Sequence, residues 1–251
     1  MATLLKFPRL VLLVSFLLFW LATWLGGRIR RLQPNFDEDS RADFSVIQGA
    51  TLTLLGLIIG FTFSMAVGRY DQRKIYEEAE ANAIGTEYAR ADLLPEADAA
   101  RVRDLLRSYT DLRILFYVTR GERELQKIDA DTSEMQHQLW ATVTAPAKAQ
   151  PSPVIALAVN GMNDVLNSQG YTQAAWWNRI PEAAWSLMFL IAVFANVLLG
   201  YGSRHLRPLL LLILPLVVSI SFFLIADIDS PRHGTIRVHP QNLESVRGSL
   251  R

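Results

Sequence analysis

The chain contains no cysteine. That excludes thiol nucleophiles, thiolate metal sites and disulfides. It also has almost no net charge: 25 Lys+Arg face 24 Asp+Glu, leaving +1 at pH 7. There is thus no electrostatic case for a nucleic acid or other polyanion as partner. Nucleophile elbows, phosphate loops and dinucleotide fingerprints are all missing. EF-hand spacing is absent, and His137, His205, His233 and His239 show no ligand spacing on one helix. The expectation is a protein that is not an enzyme, with no catalytic residue, no cofactor and no metal.

What is present is decided by clustering. Hydrophobic residues make up 51% of the chain, only mildly high. Four windows nevertheless lack any Asp, Glu, Lys or Arg: Leu10–Leu25, Val46–Val67, Ala183–Tyr201 and Leu209–Ala226. A helix needs about 20 mostly apolar residues to cross ~30 Å of hydrocarbon. The pattern therefore predicts an all-α integral membrane protein with four transmembrane helices and a helical soluble domain between spans two and three. Leu10–Leu25 follows Lys6 and Arg9, as a signal peptide would. Its downstream flank, Trp24-Leu25-Gly26-Gly27 and then Arg28, is a poor cleavage site, so it reads as a retained span.

The expected organisation is a transmembrane hairpin over residues 1–69, with spans at about 8–27 and 46–68. A helical soluble domain follows over residues 70–180. A second hairpin covers 181–227, with spans at about 182–202 and 208–226, and a short tail covers 228–251. Pro34 should break the first loop. Trp20 and Trp24 suit the headgroup level, as do Trp176, Trp177 and Trp185 in an interfacial approach to span three. Asn196 should hydrogen-bond another helix at depth. Pro215 should kink span four, with Ser219 and Ser221 satisfying freed carbonyls. Arg204, His205 and Arg207 lie in a tight loop between the last two spans.

Val46 to Leu94 organises the rest. It begins as a span and runs without a breaker into a polar, helix-favouring stretch. Gly49, Thr53, Gly56, Gly60, Ser64 and Gly68 recur at steps of 4, 3, 4, 4 and 4, which places six small residues on one stripe. Small residues let helix backbones approach closely in lipid. The stripe either packs on a neighbouring span or surrounds an oligomer axis, where span two would line a pore.

Beyond Arg69, Ala81, Ile84, Tyr88 and Ala91 give an apolar face, and Pro95 ends the helix. Further helices are expected from Glu96 to about Thr119, from Glu122 to about Val143, and over Val154–Asn167, where Val154, Leu157, Gly161 and Val165 share one side. Ala145–Pro153 reads as a Pro/Ala linker, and Thr235–His239 alternates like a short strand.

Two clusters invite a chemical reading. Glu77, Glu78, Glu80, Asn82, Glu87 and Arg90 could serve acid–base chemistry or hold a cation; the simpler reading is a charged helix face. Asp227 and Asp229 stand where a helix dipole opposes them, so Arg232, a basic residue within Arg69–Lys74, or a cation must compensate.

The run from Tyr76 to Pro95, with Glu80, Asn82, Gly85, Arg90 and Pro95, follows directly on a glycine-rich span. Asp227-Ile-Asp229-Ser-Pro231-Arg-His-Gly234 closes span four. Both motifs resemble those of the bestrophin-like family of bacterial membrane proteins, and the resemblance covers about Val46 to Val246. It implies a relation to bestrophins, which are oligomeric anion channels with four spans, cytoplasmic termini and a helical cytoplasmic domain. The acidic calcium-binding run of bestrophins is not matched; only Asp227 and Asp229 lie nearby. Short-loop charges do not orient the chain. The resemblance implies a bacterial inner-membrane location with the large domain and both termini cytoplasmic. Expected partners are the lipid bilayer, further copies of the chain and small anions. The alternative is a non-conducting interaction or sensor protein whose soluble domain binds a partner.

Overall fold

A computed structural model describes residues 5, 7–32, 38–203 and 209–250. The expected Pro34 break and the loop holding Arg204, His205 and Arg207 lie outside these residues. Among the described residues the ordered elements are all helical: α1 (Pro8–Leu32), α2 (Glu38–Arg90), α3 (Glu96–Val118), α4 (Glu122–Ala149), α5 (Pro153–Trp177), α6 (Glu182–Gly202), α7 (Ile213–Asp229) and α8 (Gln241–Ser249). Four helices are long and apolar enough to cross a bilayer. The protein is an all-α integral membrane protein with a helical soluble domain between spans two and three. The contacts divide it into two compact units, residues 1–69 with 179–237 and residues 70–178 with 238–251.

In the first unit α1 packs against α6 and α7. The seam with α6 is made by glycines. A Cβ at Gly26 would collide with the Val197 carbonyl, and one at Gly200 with the Thr23 carbonyl. Between helices in lipid such close approach supplies the packing that hydrophobicity does not. Beside it Thr23 Oγ1 donates to Asn196 Oδ1 at 3.3 Å, while Asn196 Nδ2 donates to the Ala192 carbonyl at 2.8 Å. Asn196 thus does bridge helices at depth. Phe19, Phe189 and Phe222 meet edge-on or tilted, with centroids 4.9 to 6.0 Å apart, a geometry their quadrupoles favour. Trp24 is half exposed and carries Arg28 over its ring at 4.7 Å.

Pro215 does not kink a long span. It falls in the first turn of α7, after a 3-10 turn at Leu210–Leu212, where its missing N–H has no intrahelical partner to lose. Ser219 Oγ donates to the Pro215 carbonyl at 2.7 Å, and Ser221 Oγ to that of Val217 at 3.0 Å.

The second unit packs residues 70–90 of α2 with α3, α4, α5 and α8 around Ala81, Ile84, Val102, Leu106, Tyr109, Phe116, Leu139, Met162, Val165 and Leu243. Three expectations are corrected here. The Pro/Ala linker is shorter, because α4 continues through Pro146 to Ala149. Val143 and Pro146 are buried, so packing holds the last turn despite the missing backbone bond. The helix expected over Val154–Asn167 does not stop there: α5 runs to Trp177 because Thr172, Ala175 and Trp176 still find buried positions. Trp176 and Trp177 therefore belong to this helix, not to an approach segment. Its core face is Ile155, Ala158, Met162 and Val165, while Val154 and Leu157 are half exposed. A fourth correction concerns the tail: residues 235–239 form bends and irregular backbone, with no strand.

Candidate functional site

Helix α2 is 53 residues long, about 80 Å at 1.5 Å per residue. One line of positions along it is buried: Leu55, Thr62, Ala66, Arg73, Glu77, Glu80, Ile84, Glu87 and Ala91. At ~100° per residue these share a face. Gly49, Thr53, Gly56, Gly60, Ser64 and Gly68 centre roughly 150° from that line. All six are exposed. A Cβ added at Gly49, Gly56, Gly60 or Gly68 would meet nothing within 4 Å among the described residues. Among the described residues the close glycine approach between spans is at Gly26 and Gly200, not along this stripe.

The acidic cluster is not a solvated face. Glu77, Glu80 and Glu87 are at most 1% exposed, whereas Glu78 and Asn82 are exposed. Arg73 begins the buried polar row. Its Nε donates to the Ala175 carbonyl at 3.2 Å and its Nη2 to the Asn178 carbonyl at 3.3 Å. A cation is thereby set on the carbonyl end of α5, where the helix dipole favours it. One turn on, Glu77 does the reverse. Its Oε1 accepts from the backbone N–H of Asn242 at 2.9 Å and of Leu243 at 3.0 Å, and its Oε2 from Asn242 Nδ2 at 2.6 Å. These are first-turn N–H groups of α8 that no intrahelical carbonyl can serve.

Glu80 accepts from Arg113 Nε, and from Thr172 Oγ1 at 3.0 Å. Arg113 lies over the Phe116 ring at 4.5 Å. Burial works against the Arg113 cation, but the Glu80 carboxylate beside it wins and holds its pKa above the ordinary value. Burial, and then the same carboxylate, push the Tyr109 and Tyr117 phenols upward. Arg113 is thus held charged beside Glu80, within a core of neutral phenols. Glu87 differs, since neither of its oxygens has a hydrogen-bond partner among the described residues. Arg90 and Glu87 both crowd Gly161 of α5, where a Cβ would strike them. Gly85 approaches α8, where a Cβ in its place would lie 3.8 Å from the Val246 side chain. Pro95 stands just before α3, extended at φ −53°, ψ 145°.

At the end of α7 the two aspartates have separate tasks. Asp227 Oδ1 accepts from Thr235 N and Thr235 Oγ1, and its Oδ2 from Ile236 N, each at 2.8 Å. This folds the chain back on itself and is why residues 235–239 pair with no strand. Gly234 completes the turn: its N–H donates to the Ser230 carbonyl at 3.1 Å, and a Cβ would collide with the Asp227 carbonyl. Pro231 is buried in the same turn. Asp229 accepts from the Ile180 N–H at 3.3 Å and lies 3.9 Å from Arg69 Nη1. Burial lowers the Arg179 pKa while Asp229 works the other way. Arg69, at the start of the basic run, and Arg179 thus each set a positive charge towards Asp229. Among the described residues no group of three or more His, Asp or Glu could hold a metal.

A family model for the Bestrophin-like domain matches residues 13–243. The chain belongs to the bestrophin-like family. Its fold is similar to a bacterial bestrophin homologue from Klebsiella pneumoniae carrying a point mutation (TM-score 0.69, 14% identity, 97% of each chain covered). Another crystal structure of that homologue, solved by zinc phasing, aligns with TM-score 0.67 and 15% identity over 96% of each chain. A structure described only as a membrane protein aligns with TM-score 0.68 and 14% identity over 97% of each. At this identity the likeness is one of fold. No curated protein matches the sequence.

In this bestrophin-like chain the run between Tyr76 and Pro95 is chiefly a docking edge. Glu80 holds α3 and α5, Gly85 admits α8, and Arg90 packs at Gly161. Sequence patterning did not single out Arg113, which carries the charge opposite Glu80. Arg73 was legible, because it lies on the same 3.6-residue line as Ile84 and Ala91. Arg113 gave a weaker signal, a single cation on the face of Tyr109 and Phe116.

Proposed function

We propose that the chain is a homo-oligomeric anion channel in a bacterial inner membrane, with span two of each copy turned towards a common axis. The observation that carries this is the stripe from Gly49 to Gly68, exposed and opposite the buried face of its own helix. Gly49, Gly56, Gly60 and Gly68 would bring backbones close to the axis, and Thr53 and Ser64 supply hydroxyls. A hydroxyl donates to an anion without adding charge. The span has no carboxylate to repel one, and its apolar positions suit a hydrophobic constriction. Family membership supports the same reading, and favours a cytoplasmic side for the soluble domain and both termini.

Planar-bilayer recording of the purified protein, with its stoichiometry counted in mild detergent, tests the proposal. Anion-selective current from a symmetric oligomer supports it. A monomeric protein, silent across several ions and potentials, contradicts it and leaves the non-conducting interaction protein.

A further inference from the structure

Glu87 is the one carboxyl in the buried row of α2 that no other group explains. Arg73 and Glu77 serve helix ends, and Glu80 has Arg113. Glu87 is 0% exposed, and neither oxygen has a hydrogen-bond partner among the described residues. Its Oε2 lies where a Cβ of Gly161 would be, so α5 reaches it only because that position is glycine. The charged groups acting on it come from both helices. Arg90, on α2, favours the carboxylate; the exposed Asp164, on α5, opposes it.

We propose that Glu87 is a proton-binding switch in the α2–α5 seam, closed when the carboxyl is neutral and loosened when it ionises. A neutral acid without partners already carries a desolvation cost in a buried site, but an unpaired carboxylate there costs far more and must draw in water or swing out. Gly161 leaves no side chain to screen it. Burial, partly countered by Arg90 and reinforced by Asp164, raises the Glu87 pKa from 4.5 to about 8. The folded state then holds this proton more tightly than the unfolded one. The associated stability is complete below the unfolded value and is lost as pH rises through about 8. Glu87 lies on the helix that also carries the span-two stripe. The switch itself does not require conduction.

The test is hydrogen–deuterium exchange on the full-length protein, corrected for the intrinsic rate, at about pH 6 and about pH 9.5, on either side of the transition. In the wild type, residues 80–90 and 155–166 should lose protection at the higher pH. Glu87→Gln should stay protected at both. Asp164→Asn, an exposed change that does not threaten folding, should move the transition to lower pH by roughly one unit or less. A wild-type seam equally protected at both values overturns the switch. So does a Glu87→Gln protein that keeps the response, or an Asp164→Asn protein whose transition stays in place. If Glu87→Gln does not fold, the direction of the Asp164→Asn shift decides.

Discussion

Arg113 donates its Nε–H to Glu80, and neither side chain is reached by solvent. Removing one partner would strand a buried charge, which costs about 3–5 kcal/mol. Glu80→Leu and Arg113→Met should each lower the thermal midpoint sharply. The double variant should recover much of the loss, because an apolar replacement of a whole buried pair is often close to neutral. Thermal denaturation of the four proteins gives the coupling. Simple additivity of the two losses would show that the pair does not act as a unit.

Glu77 serves α8 from a distance in sequence. Glu77→Ala leaves the first N–H groups of that helix without an acceptor, a loss of ~1–2 kcal/mol comparable to a missing N-cap. Exchange protection should fall first over residues 241–249, with α3 and α4 unaffected. Unchanged protection in α8 would contradict the capping role.

Asp227→Ala should release the backbone after Gly234. Three bonds to a charged acceptor disappear, and at ~1.5–3 kcal/mol for such bonds even partial replacement by water leaves a clear deficit. Limited proteolysis between residues 232 and 240 reads the effect. Cleavage no faster than in the wild type would count against the turn being held by this carboxylate.

Two glycine populations should behave in opposite ways. Gly26→Leu and Gly200→Leu thrust a side chain into backbone across the α1–α6 seam, and overpacking typically costs about 1–3 kcal/mol or more. They should destabilise the chain itself. At Gly56 and Gly60 an added Cβ meets nothing within 4 Å among the described residues, so in Gly56→Leu and Gly60→Leu the protomer should keep its helical content while the assembly weakens. Met65→Trp, exposed on a different side of α2, adds bulk as a control and should leave assembly intact. Light scattering in detergent alongside circular dichroism separates the cases. Equal oligomer stability in Gly56→Leu, Gly60→Leu and Met65→Trp would remove the stripe from the interface.

The spans were legible because charge-free runs leave few alternatives in a chain this balanced in charge. So was the position of the small-residue stripe, which needs only helical periodicity. Its orientation was not, because periodicity places residues on a face without saying what that face meets. The carboxylates misled for a related reason. Glu77, Glu80 and Glu87 fall on the same line as Ile84 and Ala91, but a charged residue on an apolar line is ordinarily read as solvated unless its partner is known. Arg113 and the first turn of α8 are far away in sequence. Gly170 and Pro146 look like helix ends locally, yet tertiary packing of Thr172, Trp176 and Val143 overrides them. Thr235–His239 alternates as a strand does, but Asp227 takes the N–H groups of Thr235 and Ile236 at its start.

The most direct test of span two as a pore lining uses the absence of cysteine. Ser64→Cys places a single thiol in the chain, on the stripe. Single-channel current is recorded before and after a membrane-impermeant, negatively charged methanethiosulfonate is added. The expected result is an anion-selective current in the unmodified protein that falls when a fixed negative charge is attached at position 64. An unchanged current after complete labelling, or no current before it, would contradict span two as the lining of an anion pore.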